Sequence, residues 1–117
     1  MAKKHDIIWL ESIDSTNEEC RRRISDIDNL SVVAALSQTS GRGQRGNVWL
    51  SEPGQNLTFS IVLKFPAKGL KAEMEPMLAY DQFVLSEITS LAIVDLLADF
   101  GIEAKIKWPN DIYVGDK

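Results

Sequence analysis

The sequence has little of what many functional sites are made from. It holds one cysteine, Cys20, and one histidine, His5, in 117 residues. A lone thiol excludes an intramolecular disulfide and makes a reducing cytoplasm the expected compartment. So small a set of ligands also excludes a structural zinc site in practice. With no histidine or second thiol near it, Cys20 reads as packing and not as a nucleophile. No apolar stretch is long enough and uncharged enough to span a bilayer, and Met1-Ala2-Lys3-Lys4-His5-Asp6 lacks the apolar core of a signal peptide. A basic excess is missing too: the net charge of -4 argues against non-specific nucleic-acid binding. No repeat or low-complexity segment is present. What remains is ordinary globular composition, 44% hydrophobic and 26% charged, in a chain about one domain long.

The apolar pattern predicts a strand over residues 7–13. Asp14-Ser15-Thr16-Asn17 then supplies helix N-cap types, and either Ser15 with Glu18 or Thr16 with Glu19 fits a capping box. A short helix is expected over 17–24, with Glu18–Arg22 and Glu19–Arg23 at the spacing of surface ion pairs. Residues 31–37 are β-branched and apolar, a buried strand. Leu57, Phe59, Ile61, Leu63 and Phe65 alternate with Thr58, Ser60, Val62 and Lys64, the clearest strand of the chain, which Pro66 ends. Residues 77–100 carry a long helical pattern through Leu85, Ile88, Leu91, Ala92, Leu96 and Phe100, with Gly101 at the left-handed cap position. Met74, Met77 and Phe83 read as core at the start of that helix. Strand character resumes over 104–108, and Pro109-Asn110-Asp111 turns the chain.

The expected fold is α+β, a mixed and mostly antiparallel sheet backed by helices. Ile112-Tyr113-Val114 is strand-like, and Gly115-Asp116 suits a primed hairpin turn that calls for a returning strand. With no partner in sight for that triplet, the expectation is the front part of a longer domain.

Three segments carry chemistry. Gly41-Arg42-Gly43-Gln44-Arg45-Gly46 interleaves glycines, which permit tight backbone turns, with guanidiniums that supply forked donors. Such a loop suits an anion wrapped by main-chain N–H groups, and the bland alternative is a solvated surface turn. Gln38-Thr39-Ser40 before it and Trp49 after it add polar groups and an apolar wall of the kind a small-ligand pocket needs. Asp14-Ser15-Thr16-Asn17 is equally a helix cap and a set of donors and acceptors for a neutral polar group such as a ureido ring. In Lys107-Trp108-Pro109-Asn110-Asp111, Asn110 suits a nucleobase edge and Asp111 suits a cation or a lysine, beside the plain reading of an Asx turn.

On these segments, in this order, the chain resembles the catalytic domain of the biotin–protein ligases from about Ile7 to its last residue. The strand Asn56-Leu57-Thr58-Phe59-Ser60 is similar to the family strand after the glycine loop. The resemblance implies a fold related to class II aminoacyl-tRNA synthetases and lipoate ligases. It implies that residues 1–117 are the N-terminal part of that catalytic domain, with no DNA-binding domain and no C-terminal barrel domain. The implied reaction is ATP-dependent formation of biotinyl-5'-AMP, followed by transfer to a lysine of a biotin carboxyl carrier protein domain. ATP and Mg²⁺ are its cofactors; nucleic acid and membrane are not expected partners, and a homodimer is allowed.

By the same resemblance Ser15, Thr16, Asn17, Gln38, Gly41, Arg42, Gly43, Gln44 and Trp49 bind biotin. Arg42 and Arg45 act catalytically, Arg45, Asn110 and Asp111 meet the nucleotide, and no residue is assigned to a metal. The glycine loop is expected to be a mobile lid that keeps water from the acyl-adenylate. Two departures stand out. Gln44 occupies a position where many members carry arginine, which implies weaker charge stabilisation. The family's lysine after the Asn-Asp pair aligns one position beyond Lys117, so the 117-residue polypeptide alone is expected to have little ligase activity. A lipoate or octanoyl ligase-type relative and a non-catalytic biotin-binding module are the competing readings.

Overall fold

The computed structural model describes residues 6–64, 79–109 and 111–117. The backbone divides into two compact units, Met1–Met74 and Glu75–Lys117.

In the first unit, β1 (Ile7–Ile13), β2 (Val32–Gln38) and β3 (Thr58–Ile61) form one sheet in that order. β1 and β2 are parallel, joined by a crossover that contains α1 (Thr16–Arg22), and β2 and β3 are antiparallel. The result is mixed, as the sequence predicts. One face of the sheet carries the core: Ile27, Val33 and Val62 are buried together, with Ile8, Leu10 and Cys20 packed against them. The other face is open. Trp9 and Phe59 stand on either side of Ala34, and Ile7 and Ile61 on either side of Val32, with Trp9 59% and Ile61 56% exposed.

The nine-residue alternation therefore does not bury its apolar stripe. Leu57, Phe59 and Ile61 point outward, while the Thr58-Ser60-Val62 stripe faces the α1 side. β3 is also shorter than expected. Leu30 and Ser31 still exchange backbone bonds with Val62, but the Lys64 N–H is taken by the Asn29 side chain at 2.8 Å, which ends the ladder. Phe65 and Pro66 lie outside the described residues.

Helix α1 begins at Ser15, whose extended backbone and side chain, accepting from the Glu18 N–H, make the N-cap. The reciprocal half of a capping box is missing because Asp14 Oδ1 takes the Ser15 N–H at 2.7 Å. Asp14 also corrects the expected ion pairs. Arg22 sends two N–H groups back to the Asp14 carboxylate, at 2.9 and 2.6 Å, and does not meet Glu18, which pairs with Arg21 at 3.1 Å. A forked guanidinium gains more from a carboxylate it can grip with both ends than from one contact a turn away, and side chains of a helix lean toward its N-terminus. The Glu19–Arg23 pair forms as expected, at 3.2 Å.

The second unit holds α2 (Ala79–Asp99), β4 (Lys105–Lys107) and β5 (Asp111–Tyr113), the two strands pairing antiparallel with Ile106 opposite Ile112. Gly101, at φ 76, caps α2: its N–H reaches Ala98 and the Ile102 N–H reaches Leu97, each at 2.9 Å. That double bond pattern is a Schellman motif, and it needs the left-handed residue that glycine supplies.

The expected core face of α2 is not covered by the described residues of this unit. Ile88, Leu91, Leu96, Phe100 and also Phe83 are exposed, Leu85 is half-buried, and Ser90 is buried. Two three-residue strands, about 10 Å long, cannot cover a helix of about 30 Å. Met74 and Met77 lie outside the described residues. Of the triplet expected to lack a partner, Ile112 and Tyr113 have one, since β5 pairs with β4, and Val114 lies just past the ladder. Val114 and Lys117 exchange N–H···O bonds at 2.7 and 3.2 Å around Gly115, at φ 62, which is the expected two-residue turn. Among the described residues no helix is long and apolar enough to cross a membrane.

Candidate functional site

Because β1 and β2 run parallel, their carboxyl ends leave the sheet at the same edge. The ladder continues past both strands: Thr39 N–H reaches Ile13 O at 2.9 Å, and Ser40 N–H reaches Asp14 O at 2.7 Å. The polar turn 14–17 and the segment 38–41 are thereby held side by side. Between them and β3 opens a cleft of 630 Å³. Ser15, Thr16 and Asn17 form one wall, and Gln38, Arg42, Gly43 and Trp49 another. Thr58 and Ser60 of β3 close the third side.

The floor of this cleft is a chain of side-chain hydrogen bonds. Gln38 Oε1 accepts the backbone N–H of Thr16 at 2.9 Å. The Thr16 hydroxyl lies 2.8 Å from Ser60 Oγ, and Ser60 donates to Asn17 Oδ1. Thr16 is buried, so the N–H that Gln38 satisfies would otherwise have no partner.

The glycine-rich loop closes on itself. Trp49 N–H reaches Gly41 O at 2.8 Å, Gly43 N–H reaches Asn47 O at 2.6 Å, and Arg42 bridges Val48. The tip, Gln44–Gly46, is a 3-10 turn in which Arg45 and Gly46 take the left-handed region at φ 57 and 78. Gly41 is needed for close approach: a Cβ there would sit 2.5 Å from the Trp49 carbonyl oxygen and 2.6 Å from Gln38 Nε2.

Charge is arranged unequally. The Arg22 guanidinium, with help from the Ser15 N–H, lowers the Asp14 carboxyl from 3.8 to about 2. Glu19 is lowered by Arg22 and then by Arg23, while burial raises the Cys20 thiol, which is the wrong direction for a nucleophile. Among the described residues, Arg42 and Arg45 form no ion pair, in contrast to Arg21, Arg22 and Arg23, which all do. The cations of residues 21–23 are thus paired with carboxylates of α1 and of Asp14 just before it, and among the described residues those of the loop are not.

Seven of the residues singled out in the sequence, Ser15, Thr16, Asn17, Gln38, Arg42, Gly43 and Trp49, line this one cleft. Gly41 is buried behind it against Trp49 and Gln38. Gln44 and Arg45 are at the loop tip, and Arg45 is exposed and does not line the cleft. Asp111 belongs to the second unit, where it pairs with Lys107, and Asn110 lies outside the described residues. Thr58 and Ser60 belong to the strand quoted for the family resemblance, where they carry no site role, and the Glu18–Arg21 pair at the rim has none either. The signal for Ser60 and Thr58 was the polar stripe of the β3 alternation, whose apolar stripe drew attention away from it.

Comparison with known proteins gives the family. A family model described as "Biotin/lipoate A/B protein ligase family" matches residues 9–117. The bifunctional ligase/repressor BirA of Escherichia coli strain K12 is 32% identical over 109 residues, which cover 92% of this chain and 31% of that protein. The biotin protein ligase of Aquifex aeolicus in complex with biotin and ATP superposes with a TM-score of 0.72 at 31% identity, over 96% of this chain and 43% of that one. The biotin protein ligase of Leishmania major in complex with biotinyl-5-AMP gives a TM-score of 0.64 at 27% identity, over 98% of this chain and 49% of that one. This chain thus spans about a third of the length of the Escherichia coli relative it matches.

Proposed function

This chain belongs to the biotin/lipoate A/B protein ligase family, and we propose that its cleft takes biotin for ATP-dependent activation to biotinyl-5'-AMP. A lysine of a carrier-protein domain then receives the biotinyl group. The observation that carries this reading is the Gln38–Thr16–Ser60–Asn17 network in one cleft with Arg42 and Trp49. The biotin, ATP and biotinyl-5-AMP in the structures of the two relatives support it. The fold kinship with class II aminoacyl-tRNA synthetases belongs to the same proposal, as does a cytoplasmic location, which rests on the single cysteine.

Two reactants of like charge must meet. The biotin carboxylate attacks the α-phosphorus of ATP and pyrophosphate leaves, so fixed positive charge has to offset their repulsion. Arg42, on the cleft wall and without an ion pair among the described residues, holds the carboxylate end in this reading. Arg45 turns toward the nucleotide when the loop folds over, and Asn110 and Asp111 are assigned to the nucleotide. A charge-assisted hydrogen bond contributes about 1.5–3 kcal/mol, and orienting the pair contributes about 7–11 kcal/mol of the barrier, so positioning dominates. The polar wall of 15–17 with Gln38 meets the ring end, backed by Gly41, and Trp49 lies along the apolar side. Gly43 and Gln44 join Arg42 in enclosing the carboxyl end. Mg²⁺ would neutralise phosphate charge. Among the described residues no three acidic, thiol or imidazole groups cluster to hold a metal, so no step is assigned to a protein-bound ion.

Calorimetry with biotin, lipoate and ATP tests the proposal, together with biotin-dependent pyrophosphate release. Biotin should bind in preference to lipoate. Preference for lipoate would move the chain to the lipoyl branch, and biotin binding without any pyrophosphate release from a protein carrying this segment would leave a binding module.

A further inference from the structure

We infer that Ser60 is a positioning residue that fixes the hydrogen-bond polarity of the cleft for a cyclic urea, through a one-way hydroxyl relay from Thr16 through Ser60 to Asn17. The inference rests on the assignment of biotin to this cleft and adds a residue and a selectivity device to it.

The direction of the relay follows from counting protons. A serine or threonine hydroxyl has one proton to give and lone pairs to accept with. Asn17 turns its carbonyl oxygen toward Ser60, and that oxygen can only accept, so the Ser60 proton is committed to Asn17. Ser60 must then accept from Thr16, 2.8 Å away. The Thr16 proton is in turn committed to Ser60, which leaves the 3.4 Å approach of the Thr16 hydroxyl to Gln38 Oε1 without a proton. Gln38 Oε1 is satisfied instead by the Thr16 backbone N–H.

What is left over on these three cleft-lining residues is a defined set. The Thr16 oxygen keeps acceptor capacity, and Asn17 and Gln38, their oxygens engaged, keep amide N–H donors. A cyclic urea carries N–H donors beside a carbonyl acceptor and matches that set. A dithiolane ring carries neither group and would leave these polar atoms unpaired, which is how hydrogen-bonding sites reject such analogues. Ser60 reaches this position from a different strand. It is paired with fully buried Val33, so both side chains face α1.

The test is calorimetry on the chain as it stands, with biotin, desthiobiotin (which keeps the urea and lacks the sulfur) and ATP. Ser60→Ala should weaken biotin and desthiobiotin by the same factor, about tenfold for one neutral hydrogen bond and the donor it strands. ATP affinity should be unchanged, and Ser60→Thr, which restores a hydroxyl, should recover most of the loss. Unchanged biotin affinity in Ser60→Ala, or equal weakening toward biotin and ATP, would overturn the inference. Nuclear magnetic resonance of the ligand-free chain reads the relay independently. The Thr16 and Ser60 hydroxyl protons should exchange slowly, and the Thr16 proton should lose protection in Ser60→Ala. If the unaltered chain takes no biotin, the function proposed above fails, while these protons still decide the relay: fast exchange of both overturns it.

Discussion

Gln38 has one job that can be measured without any ligand. Its side-chain oxygen satisfies the N–H of Thr16, which is 3% exposed, so Gln38→Leu strands a buried donor. The expected cost is about 1–3 kcal/mol, seen as a lower urea midpoint with an unchanged slope. Gly41→Ala drives a Cβ into the Trp49 carbonyl and the Gln38 amide, so about 1–3 kcal/mol of stability should be lost, together with part of the biotin affinity. Asp14 carries the pH dependence of the helix start. Its folded value of about 2 lies below the ordinary 3.8 because of Arg22, so its contribution is complete above about pH 4 and disappears as the pH falls through about 2. Glu19 is shifted in the same direction and adds to the effect. Thermal melts of the unaltered chain and of Arg22→Met should therefore differ at pH 5 and converge near pH 2.

The element that tests most cleanly is α2, which ends through a single left-handed residue. Gly101→Ala should destabilise it by about 1–2 kcal/mol, read by circular dichroism during thermal unfolding, because every other L-residue meets its own carbonyl at φ 76. This cap was legible in the sequence, as were the existence and order of the strands and helices, since each follows from local spacing. Two segments that contribute walls to the cleft, 14–17 and 41–46, were legible for the same reason: they are short and chemically unusual. Ser60 was not, because its role comes from the antiparallel pairing with Val33 and from contact with a helix start about forty residues away. The Arg22–Asp14 grip escaped notice because the i,i+4 rule considers partners only within the helix, and Asp14 precedes it. Periodicity likewise identified apolar stripes on β3 and α2 without saying which would be covered.

At the scale of the molecule, each unit presents apolar surface to water: Trp9, Phe59 and Ile61 on the open sheet face of the first, Ile88, Leu91 and Leu96 on α2 of the second. Contiguous patches of this kind drive association. The chain should bind a hydrophobic dye and scatter more light as its concentration rises. Trp9→Glu should reduce both signals without altering biotin affinity, because Trp9 does not line the cleft. The parallel pairing of β1 and β2 has a separate consequence. Side chains alternate along a strand, so losing one residue from the middle of β2 would rotate everything after it to the opposite side. Composition, net charge and helix count would barely change, yet the glutamine that meets Thr16 from 22 positions away would point at solvent. Recognition in this chain is in that sense a matter of parity, and an alignment gap inside either strand is a more serious event than most substitutions along it.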